Sequence, residues 1–495
     1  MMDVLCIDKT GTITMNKLSI ANALEFGNHK KEEVLLYGAL ASQKANQDPI
    51  DLVFIAFAEE KGLKMDSYIQ RKFEPFDPST RRTEVIIEKD GEQFRIAKGA
   101  VSVIASLCGI KSNELDALEK RIEVFTNKGY RTLAVAIGSG SSRMELVGIA
   151  ALYDMPRPDS AKLISKLKSL GISTKMLTGD SLSIAKEIAR ETNFGEKITG
   201  MTDLKEMENI DPTKISDLVE NSNGFAEVYP EDKYQIIKNL QAKKHMVGMT
   251  GDGINDAAAL KQAEVGIAVS NSTDVAKGAA SVVLTTEGLS NIVDLVWTGR
   301  MIYQRMVTWI LNKVVKTFEI VLFVVLAFLS TGLYVVGAFE IVLLLFLIDF
   351  VTIAISTDNV RPSEKPETWN ISLLVNVAVL LGIFLVVESL GLLYIGLNFL
   401  DLSNTSALNT FVFDMLLFGG MFTIFVVRER SNFWKSRPSN TLIIAILGDI
   451  LITSIISILG IPGLTPIRAE YIFINFGWYF VFGLLVNDQL KARAR

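Results

Sequence analysis

DVLCIDKTGT, Asp3 to Thr12, decides how this chain is read: a short apolar strand runs into a carboxylate, Asp8, and then turns at Lys9, Thr10 and Gly11. In an open α/β sheet ligands bind beyond the carboxyl ends of the strands, so the pattern sets Asp8 at a reactive edge. Three further strand-like runs end on related chemistry. STKMLTGD delivers Thr178, Gly179 and Asp180; HMVGMTGDGIND delivers Asp252, Asn255 and Asp256; FAEVYPEDK places Lys233 at the start of a helix. Amphipathic stretches such as Asp159 to Leu170 and Leu182 to Glu191 lie between them. Strands alternating with helices predict a doubly wound parallel sheet.

A carboxylate can attack a phosphorus centre and form an aspartyl phosphate. Bringing that anion up to a polyphosphate requires cations between them. Mg2+ held by Asp8 and Asp252 suits the task, with Lys233 adding positive charge and Thr178 a hydroxyl donor. Any one of these aspartates could merely cap a helix or fill a turn. DKTGT, TGD and TGDGIND together, in this order, point to catalysis. The sequence at this point resembles the P-type cation-transporting ATPases, whose phosphorylation domain is an α/β domain of the haloacid-dehalogenase type. The resemblance implies that Asp8 is phosphorylated by ATP, that Asp252 binds Mg2+, and that the carbonyl of Thr10 is a further metal ligand. It implies catalytic roles for Lys9, Thr10, Thr178, Gly179, Asp180, Lys233, Asn255 and Asp256. DMPRPDS, Asp154 to Ser160, looks like the family's hinge motif, and the likeness runs through effectively the whole chain.

Residues 21–152 interrupt the sheet for too long to be a loop and are expected to form an inserted α+β domain. The phosphorylation domain is then 1–20 with 153–290. Within the insertion FDPSTRRTEVII and FRIAKGA read as two strands around the hairpin Lys89-Asp90-Gly91. By resemblance this is the nucleotide-binding domain, with Lys98, Gly99, Asp77, Arg81, Arg82 and Arg131 on ATP. A basic cluster beside a glycine suits a polyanion, although a solvated charged face looks similar. No GxxxxGK[ST] occurs, which excludes a P-loop fold.

The remaining residues, 291–495, read as a stalk and an all-α bundle. Six runs are long and apolar enough to cross ~30 Å of hydrocarbon, at about 313–336, 339–357, 371–397, 407–427, 441–459 and 468–487. They lift the mean hydropathy to +0.32 over 495 residues, which excludes a purely soluble enzyme and a disordered chain. Two cysteines exclude a disulfide scaffold, and a net charge of -5 gives no nucleic-acid footprint. The opening Met-Met-Asp-Val-Leu has no basic n-region and no cleavable apolar stretch, so it is not expected to be a signal peptide. Arg361, Lys365, Arg428, Arg430, Lys435, Arg437 and the tail Lys491, Arg493 and Arg495 lie on one side, against Arg468 on the other. The basic side is expected to be cytoplasmic, with the headpiece and the C-terminus there and the plasma membrane as the location.

Ionisable groups inside spans suggest an ion path. Lys316 and Glu319, three apart, share a helical face and can neutralise each other. Lys313 is expected to snorkel at the boundary. Asp349 lies in the short second span, where an unwound helix would free carbonyls for a cation. Glu388, Asp414 and Asp449 in later spans suit pairing within the bundle as well as transport. The second span and the stalk YQRM, Tyr303 to Met306, look most like the plasma-membrane proton-pump subfamily. There is a departure: the Arg that partners the Asp in well-known proton pumps falls on Glu319 here. Glutamate there resembles calcium-type pumps, but Lys316 replaces their neighbouring Asn. A resident ammonium disfavours a divalent ion, so the expected cargo is a proton, with sodium, potassium or calcium as alternatives.

The family's usual chain has an actuator domain with a TGE motif, and four more membrane helices, before the phosphorylated Asp. Only seven residues precede Asp8 here and no TGE occurs. The expectation is a catalytic half that needs an N-terminal partner chain, or else a shortened or nonfunctional product. The rival reading is a membrane-anchored phosphatase of the haloacid-dehalogenase type with no transport role. His29 and His245 read as surface residues.

Overall fold

The computed structural model describes residues 1–494 except 47, 78, 127, 129, 140–142, 211–213, 287, 401, 403 and 404. Pro78, part of the FDPSTRR motif, therefore lies outside the described residues. The chain divides into two compact units, residues 2–294 and, with Met1, residues 295–495.

The first unit holds thirteen strands among the described residues. They are β1 (Val4–Asp8), β2 (Thr14–Glu25), β3 (Ile69–Asp77), β4 (Arg82–Lys89), β5 (Glu92–Gly99), β6 (Arg131–Ser139) and β7 (Glu145–Pro156), followed by β8 (Ser173–Leu177), β9 (Ile198–Gly200), β10 (Gly224–Ala226), β11 (Val247–Gly251), β12 (Val265–Ala268) and β13 (Val282–Val283). One sheet has the order β13-β12-β11-β1-β8-β10-β9, and every pairing in it is parallel. Strand β1 is buried throughout, as a central parallel strand covered by helices on both faces must be. Its Val4 and Cys6 pack with Phe225, Ile236, Ile237 and Leu240. This is the α/β fold expected from DVLCIDKTGT. The order reverses at β1, with β8 on one flank and β11 on the other, which opens the ligand crevice of such sheets beside Asp8.

The second sheet is antiparallel, in the order β2-β7-β6-β5-β4-β3. Strands β2 and β7 pair from Thr14↔Pro156 to Glu25↔Gly148, so the chain leaves and re-enters the first sheet through one paired ribbon. The β4–β5 hairpin turns at Asp90 and Gly91, both at positive φ (51° and 84°), as a tight primed turn requires.

Among the described residues of the second unit, six helices are long and apolar enough to cross a membrane. The first span belongs to one continuous helix, Ser290–Thr331. It ends at Thr331, five residues before the expected limit of 336. The hydroxyls of Ser330 and Thr331 bond back to Leu326 and Ala327 carbonyls, and Gly332 at φ +72° takes the left-handed capping position. In the fourth span 94% of the apolar stretch is buried, against 28% to 39% in the other five, so it forms the axis of the bundle. The second span corrects an expectation. Its helix, Ala338–Ile353, runs unbroken past Asp349 and tightens to a 3-10 turn only at Ala354–Thr357. No carbonyl is freed beside Asp349. Beyond that turn Asp358 is wholly buried against Arg428, with Nε to Oδ2 at 2.8 Å, and it also accepts from the Ser439 backbone at 2.9 Å.

Candidate active site

Asp8 ends β1 level with Leu177, so Thr178 follows on the neighbouring strand at the same edge, while Ile7 lies level with Thr250 on the other side. The backbone N–H of Asp8 donates to Thr250 Oγ1 at 3.1 Å. After Asp8 the chain makes a type II turn, with Thr10 at φ -70°, ψ 133° and Gly11 at φ 70°, ψ -15°. Glycine is needed twice over there. The positive φ favours it, and a Cβ on Gly11 would stand 3.1 Å from Asp252 Oδ2.

Lys233, on the first turns of the helix Pro230–Ala242, donates to Asp8 Oδ1 and to Asp256 Oδ1, each at 2.6 Å. The other oxygen of Asp256 accepts from the backbone N–H groups of Asp252 and Gly253, both at 3.1 Å. Asp8, Asp252 and Asp256 bring carboxylate oxygens within 4.8 Å of one another. Three carboxylates against one ammonium leave an excess of negative charge on hard oxygen donors, which fits Mg2+. Burial pushes the Asp8 carboxyl up to about 6, against the pull of Lys233 and with the push of Asp256. Burial likewise raises Asp252, with Asp256 adding to it. Lys233 loses by burial but gains more from Asp8 and Asp256, so its ammonium is held above the usual lysine range. Below pH about 6 a cation entering this cluster must displace the proton of Asp8. Mg2+ affinity is therefore expected to fall about tenfold per pH unit below about 6, measured by calorimetry in buffers of different ionisation heat.

Other expected residues are placed nearby in different company. Lys9 is buried and points to Asp180 at 2.8 Å and Asp154 at 3.5 Å, tying the hinge motif to the TGD turn. Thr178 is buried and its hydroxyl accepts from Asp180 N–H at 3.1 Å. Gly179 and Asn255 are exposed on their turns at the same sheet edge. Thr12 was not singled out in the sequence, yet its hydroxyl is buried at the site without a hydrogen-bond partner among the described residues.

The expected nucleotide residues gather at one end of the six-stranded sheet. Asp77, Arg82 and Gly99 are successive register partners across β3, β4 and β5, and Arg131 opens β6 at that end. Gly99 is required because Arg81 approaches it closely: a Cβ there would lie 2.5 Å from the Arg81 carbonyl oxygen. The structure does not bring Lys98 and Arg82 into one basic cluster. Lys98 faces the same side as Thr83, its direct partner, and is 3% exposed, donating to Asp51 at 2.6 Å and Ser42 at 2.5 Å over the ring of Phe54. Arg82, one residue from Thr83, faces the opposite side and pairs with Glu84 at 2.5 Å. Lys98→Met leaves Asp51 buried without its cation and is expected to cost about 3–5 kcal/mol, read by thermal unfolding, with Asp51→Leu in the same chain recovering most of it. Phe76, beside Asp77, is 57% exposed on an edge strand open on both faces. Its sequence looks like core; only the edge position of β3 marks it otherwise.

In the span unit Lys316 and Glu319 pair as expected, at 2.5 Å. Asp349 does not join them. It is 58% exposed on the outer face of the second span and pairs with Lys313, which therefore has a carboxylate partner and does not simply snorkel.

The sequence that builds this seven-stranded sheet and its carboxylate cluster is similar to that of known proteins. A family model described as haloacid dehalogenase-like hydrolase matches residues 2–264, over half the chain, and the chain belongs to that family. A Methanocaldococcus jannaschii protein named as a cation-transporting ATPase is 40% identical over 99% of this chain and 61% of its own length. A Dictyostelium discoideum protein named as a plasma membrane ATPase is 33% identical over 93% of this chain and 45% of its own length. Both relatives are named as ATPases, and the likeness to them runs through nearly the whole of this chain. The chain thus spans about half to three-fifths of the length of these relatives.

Proposed function

We propose that this chain carries the catalytic and C-terminal part of an ATP-driven cation pump of the plasma membrane, with the proton as its cargo. Residues 1–20 and 153–290 form the phosphorylation domain, 21–152 the nucleotide-binding domain and 291–495 the stalk and spans. The observation that carries this reading is Lys233 bridging Asp8 and Asp256, with Asp252 in the same cluster.

Asp8 Oδ1 is held by Lys233, which leaves Oδ2 to attack the γ-phosphorus of ATP. The bond to the β–γ bridging oxygen breaks as the new P–O bond forms, and ADP leaves with the electron pair. Asp8, Asp252 and the Thr10 carbonyl would hold Mg2+, which would supply positive charge to offset the repulsion between the carboxylate and the phosphate. Lys233 stabilises charge on the transferring group, and Thr178 offers its hydroxyl. Phe76 supplies a ring for the base at the sheet end where Asp77, Arg81, Arg82 and Arg131 lie. Breakdown of the aspartyl phosphate and coupled transport draw on an actuator segment in the same or a partner chain. The headpiece and the basic loops face the cytoplasm.

The test is labelling of the purified chain with γ-labelled ATP and Mg2+. A hydroxylamine-sensitive acyl phosphate that accumulates supports the pump reading. Steady phosphate release from simple phosphomonoesters, with no trapped adduct, supports the phosphatase reading instead.

A further inference from the structure

At one end of the span unit a cavity of about 540 Å³ opens between the helix Ser290–Thr331 and the start of the third span, bordered by the loop that leads into that span. Part of its lining is apolar: Val307 on the first helix, with Leu373, Leu374 and Val377 on the opening turns of the third span. The rest is polar. Arg430, just past the fourth span, pairs through both terminal nitrogens with Glu367, Nη2 to Oε2 at 2.8 Å, and its Nε donates to Gln304 Oε1 at 2.7 Å. Gln304 is buried and donates in turn to the Arg428 carbonyl at 3.3 Å, which fixes the guanidinium in place. The pair itself stays open, with the side chains of Arg430 and Glu367 at 32% and 34% exposure.

The third span starts at Ile371, so the charged part of the cavity precedes the span and the apolar part follows it inward. The exposed indoles of Trp309 and Trp369 mark the same level as a headgroup layer, where such rings gather. The Tyr303 ring stands 4.7 Å from that of Trp369 and its hydroxyl donates to the Thr368 carbonyl at 3.3 Å, which holds the loop against the first helix. A cavity charged at the headgroup layer and apolar beyond it has the polarity profile of a membrane lipid, and its size is that of a small-molecule site.

The charges select the lipid. Among the described lining residues Arg430 and Glu367 are the charged ones, one of each sign. A guanidinium has five N–H groups, and Glu367 and Gln304 engage three of them here. Each Glu367 oxygen takes one of these bonds and keeps a lone pair for another donor. An anionic headgroup would meet the carboxylate, and a purely cationic one the guanidinium. We propose that the cavity binds one phospholipid whose headgroup carries both a phosphate and a primary ammonium. The phosphate takes the remaining N–H groups of Arg430, the ammonium donates to Glu367, and the first acyl carbons run along Val307, Leu373 and Val377. A trimethylammonium has no N–H to give Glu367, so ethanolamine is preferred over choline. A lipid seated there braces the first helix against the third span.

The test is native mass spectrometry of the full chain, delipidated in detergent and titrated with phosphatidylethanolamine, phosphatidylcholine and phosphatidylglycerol of equal acyl length. The native chain is expected to retain one phosphatidylethanolamine, about tenfold more tightly than either competitor. Glu367→Gln leaves Arg430 a cation without its counter-charge and is expected to turn the preference toward phosphatidylglycerol. A pair with a merely structural role would instead weaken all three lipids alike, which overturns the assignment. Leu373→Trp fills the apolar part and leaves the ion pair intact, and is expected to lower retention about tenfold. Leu373 is 38% exposed, so this variant keeps the comparison open if Glu367→Gln does not purify. Equal retention of the three lipids by the native chain overturns the proposal, as does an ethanolamine adduct unchanged in Leu373→Trp. So does retention of none, the result expected if a helix of another protein segment covers the cavity instead. The readout uses no ATP and is independent of labelling at Asp8.

Discussion

Asp8→Asn is expected to abolish the hydroxylamine-sensitive label from ATP completely, and at neutral pH to raise the unfolding temperature of the ion-free chain. The first half follows from chemistry. An amide in the same place has no anionic oxygen to attack phosphorus, and neither Lys233 nor Mg2+ can restore one. The second half follows from where the carboxylate stands. Burial and the neighbouring Asp256 and Asp252 outweigh Lys233 and raise its carboxyl from the ordinary 3.8 to about 6. A raised folded value means that the fold prefers the neutral acid. The stability Asp8 contributes is present in full below about 3.8 and is lost as pH rises through about 6. Asparagine stays neutral and can still accept from Lys233, so it retains at neutral pH what the carboxylate gives up. Saturating Mg2+ should reverse the order, because the native chain then gains the binding energy of a complete ligand set. A scan with and without Mg2+ checks both signs; an Asn variant less stable in both conditions would contradict this electrostatic account.

The parts legible in the sequence are those where chemistry sits at a strand end. DVLCID, STKML and HMVGMTG each announce a buried strand by an unbroken apolar run, and parallel pairing then brings their terminal residues to one edge whatever the intervening lengths. The six spans were legible for the same reason, since hydropathy reports length and burial in lipid. What stayed hidden was facing. Lys98 and Arg82 are near in register, yet strand alternation turns them to opposite sides of the sheet, and nothing local says which side the Asp51 helix covers. Asp349 reads as an interior charge because it is ionisable and mid-span, but helix rotation sets it outward beside Lys313. The Arg428–Asp358 pair joins residues 70 apart through packing alone. The Gly419–Gly420 pair looks like ordinary helix flexibility until the side chains it accommodates are placed.

The other large effect is expected at Lys233, and its two readouts should move in opposite directions. Lys233→Met removes the ammonium that bridges Asp8 and Asp256 while keeping a side chain of similar length. Three carboxylates with oxygens within 4.8 Å then face each other with no resident positive charge, so Mg2+ should bind more tightly. The rate of labelling at Asp8 should nevertheless fall about 10²–10³-fold, the usual cost of losing one preorganised donor aimed at transition-state charge. Mg2+ held by the carboxylates would not stand in for the lysine, because the ammonium enters from the helix Pro230–Ala242 and fixes which oxygen of Asp8 is free. Lys233→Arg keeps the charge but not the compact geometry, and should recover part of the rate while returning Mg2+ affinity toward the native value. A variant that had merely lost its fold would lower both quantities together. Tighter Mg2+ binding with slower phosphorylation therefore separates an electrostatic role for Lys233 from a structural one, and equal losses in both would assign the residue to the core of the sheet rather than to the chemistry at its edge.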